Sequence, residues 1–149
     1  TLAVMLVGFA LGSRLGSLAV VAYLAEGAMG LPVFANFNNA AAFAGPTAGF
    51  LVGYVAMAWI AGKAADMGLR GALGLSAAAL LASAVLYIPG IAWPMAVAQA
   101  TGLEGGWIGQ GFADYYWTYF IAPFLLGDAV KAIVAALAVT GAWAALRRG

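Results

Sequence analysis

Two ionisable side chains stand three residues apart in the stretch PFLLGDAVKA (Pro123–Ala132): Asp128 and Lys131. On a helix that spacing puts both on one face, close enough to pair. An ionised Asp only accepts hydrogen bonds and an ammonium only donates them. Together they suit a small polar-headed ligand that presents both kinds of group. From Asp128 the chain runs apolar to Trp143 and closes with Leu146, Arg147 and Arg148. Asp128 to Leu146 is 19 residues, which at helical rise is about the thickness of a bilayer core. Asp is a favoured N-cap, and a carboxylate is stabilised at the positive helix end, so the helix is expected to open at Asp128. Charged groups at membrane depth are costly and mark ligand or ion sites. Two readings stay open on these residues alone: a polar pocket, or a self-neutralising pair at the interface with Lys131 snorkelling outward.

The elements that position this pair follow from composition. Of 149 residues, 66% are hydrophobic and 7% charged, with a mean hydropathy of +1.02. Soluble domains carry about 25% charged residues, so the chain reads as an integral membrane protein. Ala, Leu and Gly dominate without strict apolar/polar alternation, which argues against a β-barrel. The expected fold is all-α: one compact transmembrane domain over residues 1–149, with about five membrane helices. A net charge of +1 excludes a large nucleic-acid footprint. With no Cys and no His, disulfides, thiolate chemistry and the usual zinc sites are ruled out. No P-loop, catalytic triad or dinucleotide fingerprint is present, so no enzyme activity, cofactor or metal is expected.

Along the chain, Thr1–Gly12 is a short apolar segment, followed by Arg14 in a Gly-Ser turn and an apolar helix over Ser17–Met29. Gly8, Gly12 and Gly16 form a four-residue ladder that lets helix backbones approach closely. Gly30–Gly45 is an irregular connection. Pro46 opens the next helix, to Gly62, and Lys63–Arg70 is a polar loop. Gly71–Ile88 is a plain apolar run that Pro89-Gly90 is expected to stop. A mixed Ala92–Ala122 connection leads to the last helix, whose Ala132, Ala136, Thr140 and Ala144 repeat every four residues.

Arg14, Lys63, Arg70, Arg147 and Arg148 all fall on alternate connections, which the positive-inside rule makes cytoplasmic. Gly30–Gly45 and Ala92–Ala122 carry no Lys or Arg and are expected to face outside. Asp128, Lys131, the Asn-bearing connection, Glu26 and the aromatic run therefore converge on the outer half of the bundle.

PF-L-GD-x-x-K at Pro123–Lys131 resembles the last-helix signature of the biotin transporter S-component, the BioY family of energy-coupling-factor vitamin importers. GLPVFA at Gly30–Ala35, followed by GPTAGF at Gly45–Phe50, is similar to that family's central loop and fourth helix. The resemblance implies six membrane helices, of which the first is expected to lie outside this chain. It implies biotin capture at the outer face of a bacterial plasma membrane by a multi-pass protein. It also implies two kinds of partner, an energy-coupling transmembrane subunit and a pair of cytoplasmic ATPases. By the resemblance Asp128 accepts from the ureido N–H groups and Lys131 donates to a ligand oxygen. An S-component for thiamine or riboflavin, or a structural membrane protein, are the alternatives.

The resemblance also implies ligand contact by an Asn of the central loop, for which Asn36, Asn38 and Asn39 are candidates; loop Asn otherwise caps and turns. Thr47 stands in a helix start whose N–H groups could meet an anion, or which is plain capping. Tyr23 either lines the cavity or packs. Glu26 replaces the family's usual apolar residue, and either pairs with Lys131 or reaches water. Trp107, Tyr115, Tyr116, Trp117 and Tyr119 read as an interfacial belt or as a lid over the pocket.

Overall fold

The computed structural model describes residues 1–147; Arg148, grouped above with the cytoplasmic charges, lies outside them. Four long helices carry the fold: α1 (Leu2–Ala28), α2 (Ala48–Asp66), α3 (Ala72–Thr101) and α4 (Ala122–Leu146). Two short 3-10 turns, Ala35–Phe37 and Ala40–Ala44, join α1 to α2, and a π-helical stretch, Phe112–Ile121, leads into α4. All four helices are long and apolar enough to cross a membrane, the last counted together with its π-helical approach.

α1 is two limbs. Gly12 leaves helical geometry at φ 78° and ψ 177°, and a Cβ on Gly16 would sit 3.0 Å from the Gly8 Cα. In an unbroken helix those residues are separated by about 12 Å of rise, so the chain doubles back at Gly12. The glycine ladder lets the limbs meet each other and α2. Gly8 faces Ala58 O and Gly62 N of α2, and a Cβ on Gly62 would run into the Gly12 carbonyl carbon and the Ser13 backbone. The turn is tied by Asp66 at the end of α2, which accepts from Ser13 N–H at 3.0 Å and from Ser13 O–H at 2.5 Å. The two separate segments expected over residues 1–29 are therefore a helical hairpin, with Arg14 just beyond its bend. Among the described residues four helices are thus candidates to cross the membrane, where about five were expected.

The expected stop at Pro89-Gly90 does not occur: α3 runs on to Thr101 with Pro89 and Pro94 inside it. A helix-interior proline removes a backbone hydrogen bond and clashes with the preceding turn, but membrane helices tolerate it where neighbours re-satisfy the backbone. Here α2 presents Gly49 and Gly53 to the proline turn, with Gly49 against Pro89 O and Gly53 beside Leu86 and Pro89 Cγ. Phe50 covers Gly90, and Trp93 Nε1 donates to Gly45 O at 3.0 Å. α3 ends instead at Gly102, in the left-handed region at φ 69°.

α4 also departs from expectation. It opens at Ala122 with Pro123 in its first turn, where proline fits a helix best. Asp128 is thus a helix-interior residue and not an N-cap.

The core is built from Met5, Phe9, Met57, Leu75, Leu86 and a set of alanines that includes Ala79, Ala132 and Ala136. Small residues permit the close backbone approach on which helix packing in lipid depends. Leu81, Val130, Ile133 and Leu137 point outward, as a hydrocarbon-facing surface requires. A second cluster of Phe34, Ala42 and Leu51, flanked by Tyr23 and Tyr54, lies under the connection between α1 and α2.

The candidate ligand cavity

The hairpin turn at Gly12, with Asp66, Arg70 and Trp143, surrounds a small cleft at one end of the bundle. Arg70 lies 4.2 Å above the Trp143 ring there. At the other end the helices part around a cavity of about 600 Å³, within the size range of small-ligand sites. The partition of charge made on the sequence is thus a partition of the molecule into a basic end and a cavity end.

Asp128 and Lys131 meet at this cavity. The Asp128 side chain is 8% exposed and accepts from Lys131 Nζ at 3.3 Å, while Lys131 keeps 41% of its side chain accessible. The second carboxylate oxygen accepts a 2.5 Å hydrogen bond from the Tyr87 hydroxyl of α3. Charge-assisted O–H···O⁻ bonds are short and strong, so the carboxylate is clamped between two helices at a fixed orientation. Among the described residues, Lys131–Asp128 is the one ion pair.

The walls are aromatic. Phe50 meets Tyr87 edge-on at 5.9 Å and Phe120 at 6.2 Å. The π-helical stretch turns Tyr115, Tyr119 and Phe120 toward the cavity, and Trp107 joins them from the preceding loop. On the opposite wall Phe34 is held edge-on between Tyr23 at 5.3 Å and Phe43 at 5.4 Å. Gly27 makes room for that ring, since a Cβ there would fall inside it.

Of the residues singled out on the sequence, the structure brings Asp128, Lys131, Tyr23, Asn38 and Thr47 to the cavity lining. Tyr23 also donates to Val33 O at 3.1 Å, which ties the connection to α1. Asn36, Asn39 and Glu26 are not in the lining. Asn36 sits at φ 59°, a left-handed turn position that Asn tolerates. Asn39 accepts from Ala41 N–H and donates to Gly30 O, both at 3.3 Å, so it shapes the turn. Glu26 is exposed on α1 and reaches no cation among the described ion pairs.

The aromatic run divides between its two readings. Trp107, Tyr115 and Tyr119 line the cavity, Trp117 is exposed, and Tyr116 is buried. The Tyr116 hydroxyl donates to Trp107 O and accepts from Gln110 N–H, both at 3.1 Å, pinning the loop that carries Trp107. Sequence reasoning did not single out Tyr87, Tyr54, Phe34, Phe50 or Phe120. The one available signal for Tyr87 was that it is the sole aromatic among the small and aliphatic residues of Gly71–Ile88.

An all-α bundle of membrane-crossing helices, with a polar couple in an aromatic cavity at one end, defines a membrane-embedded binding protein. Its fold is that of an S-component: a crystal structure of the S-component for biotin from an ECF-type ABC transporter superposes with a TM-score of 0.70 at 23% identity, covering 99% of this chain and 73% of that one. The family model for the BioY family matches residues 1–148. The biotin transporter BioY of Rhizobium etli is 34% identical over 146 residues, covering 92% of this chain and 72% of the relative. That of Rhodobacter capsulatus is 37% identical over 143 residues, covering 92% and 73%. The chain belongs to the BioY family.

Proposed function

We propose that this chain is the biotin-binding membrane subunit of an energy-coupling-factor vitamin uptake transporter, forming one substrate-binding unit. The observation that carries the reading is the Tyr87–Asp128–Lys131 arrangement, an acceptor and a donor side by side in an aromatic cavity. One edge of biotin's ureido ring sets an N–H donor beside a C=O acceptor. Asp128 accepts from the N–H and Lys131 donates to the oxygen, while Phe50, Tyr87 and Phe120 enclose the apolar part of the bicycle. A carboxylate offers about four acceptor positions, so two remain after Tyr87 and Lys131 have taken theirs.

The cavity end faces outward and the Arg-bearing end inward, as the positive-inside rule orients them in the plasma membrane of a bacterium. Delivery across the membrane then needs a motor, supplied by an energy-coupling transmembrane subunit and a pair of cytoplasmic ATPases. The test is a titration of the purified chain with biotin, thiamine and riboflavin, followed by tryptophan fluorescence, in which Trp107 in the cavity wall is the natural reporter. Saturable response to biotin alone is expected, with a loss of about a hundredfold or more in Asp128→Ala, the scale for removing one partner of a buried hydrogen-bonded charge pair. Unchanged affinity in Asp128→Ala refutes the assignment of Asp128, and response to thiamine or riboflavin instead refutes that of biotin.

A further inference from the structure

We propose that the cavity reads the cyclic-urea head of its ligand and leaves the end of the acyl tail unread, so that its substrate class includes neutral tail amides and esters of the same head. The inference rests on the function proposed above and adds which part of the ligand is recognised.

The argument is a census of charge at the cavity. Among the described lining residues, Lys131 is the one cationic side chain and Asp128 the one anionic, and the backbone nitrogen of Thr1 lies within electrostatic reach of that same pair. The two are engaged with each other at 3.3 Å. Arg70 belongs to the cleft at the opposite end, and Arg14 and Lys63 lie on α1 and α2 near the Gly12 turn that closes it. A ligand whose urea edge spans Asp128 and Lys131 carries its tail carboxylate a full tail length away from that lysine. Burying this carboxylate unpaired against the aromatic walls would be costly. Water is its partner, and the structure provides the place: Asn38 and Thr47 line the cavity and are themselves exposed. Neither side chain carries a charge, and the Asn38 side-chain carbonyl oxygen already accepts from Asn39 N–H at 2.9 Å. What they offer the tail is neutral hydrogen bonding that a hydrated carboxylate and a hydrated carboxamide both accept, with a modest preference for the anion. The helix start beside Thr47 favours an anion only weakly, by at most about fivefold at an exposed helix end.

The discriminating comparison is biotin against biotinamide and biotin methyl ester, titrated into the intact chain and into Lys131→Gln by tryptophan fluorescence. The expected result is affinities for the three ligands within about fivefold of one another in the intact chain. The acid-to-amide ratio should be the same in Lys131→Gln, although that substitution weakens all three. A loss of about a hundredfold or more for biotinamide in the intact chain, disappearing in Lys131→Gln, would show Lys131 reading the tail and would overturn the inference while leaving biotin binding in place. Absence of any response to biotin itself would overturn the proposed function and this inference together.

Discussion

Replacing Tyr87 with Phe removes one oxygen from the cavity and leaves the ring that packs against Phe50. The Tyr87 hydroxyl is one of two donors to Asp128, with the shorter bond at 2.5 Å against 3.3 Å for Lys131. Lys131 is on the same helix as Asp128 and its side chain is 41% exposed, so it holds the carboxylate loosely. Tyr87 is on α3 and fixes it across the helix interface. Without that bond the carboxylate regains rotational freedom that ligand binding must remove, at about 0.5–1.5 kcal/mol for an immobilised side chain. At about 1.4 kcal/mol per decade, the biotin dissociation constant should rise roughly two- to tenfold. Stability should also fall, by about 1–3 kcal/mol for a lost hydrogen bond to a charged group, less what cavity water restores. The assay is fluorescence titration beside thermal unfolding of the ligand-free protein. Tighter binding in Tyr87→Phe would refute the reasoning, because it would mean that the hydroxyl competes with the ligand for Asp128. An unchanged dissociation constant together with unchanged unfolding would refute it as well, by showing that the bond orients nothing.

Two further predictions concern residues outside the polar centre. Gly62→Ala should destabilise the protein although Ala is the better helix former, because its Cβ would press on the backbone of the Gly12 turn, where neither side can yield. Overpacking of this kind costs about 1–3 kcal/mol against roughly 1 kcal/mol of helix propensity gained. A lowered unfolding temperature checks it, with biotin affinity largely retained because the turn lies at the far end from the cavity. Glu26→Leu should leave the biotin dissociation constant within about twofold, the scale of a distant surface substitution, since Glu26 is absent from the lining and from the described ion pairs. A marked tightening would show that it does compete for Lys131.

What the sequence disclosed and what it hid divide along a physical line. The i, i+3 pair, the glycine ladders and the partition of basic residues are local or periodic features, and each has a counterpart in the structure. Element ends that depend on tertiary contact were not visible. Pro89-Gly90 is a strong local stop signal, yet α3 passes through it because glycines at 49 and 53 of a different helix leave room for the proline turn. Asp128 looks like an N-cap, yet α4 starts six residues earlier at Ala122, and the carboxylate finds its donor on α3. Tyr87 was hidden for the same reason: its role exists only through Asp128, 41 residues away. The Asn-bearing connection was legible as a group but not by member, because irregular backbone decides which amide faces the cavity. Asn38 reaches the lining although its side-chain carbonyl oxygen accepts from Asn39 N–H at 2.9 Å, while Asn39 is used up in its own turn.

The location of the cavity follows from where side-chain size changes along the helices. Toward the Gly12 end, Gly8, Gly62, Ala61 and Ala64 of the first two helices meet with little side chain between them, and backbones that close leave no room for a ligand. Toward the other end the inward helix positions are Tyr23, Phe50, Tyr54 and Tyr87, joined by Phe34 from the connection and Phe120 from the π-helical stretch, planar groups too large to interdigitate at that spacing. Helices held together at one end by glycine and alanine must therefore splay at the other, and the rings line the gap without filling it. A carboxylate inside that gap with two of its acceptor positions still open cannot stay dry, since an unsatisfied buried charge is expensive. Under the proposed function, N–H donors of the ligand would take those acceptor positions in exchange for water. The same two open positions that make Asp128 costly in the ligand-free bundle are what make a donor-bearing head preferable to an apolar one.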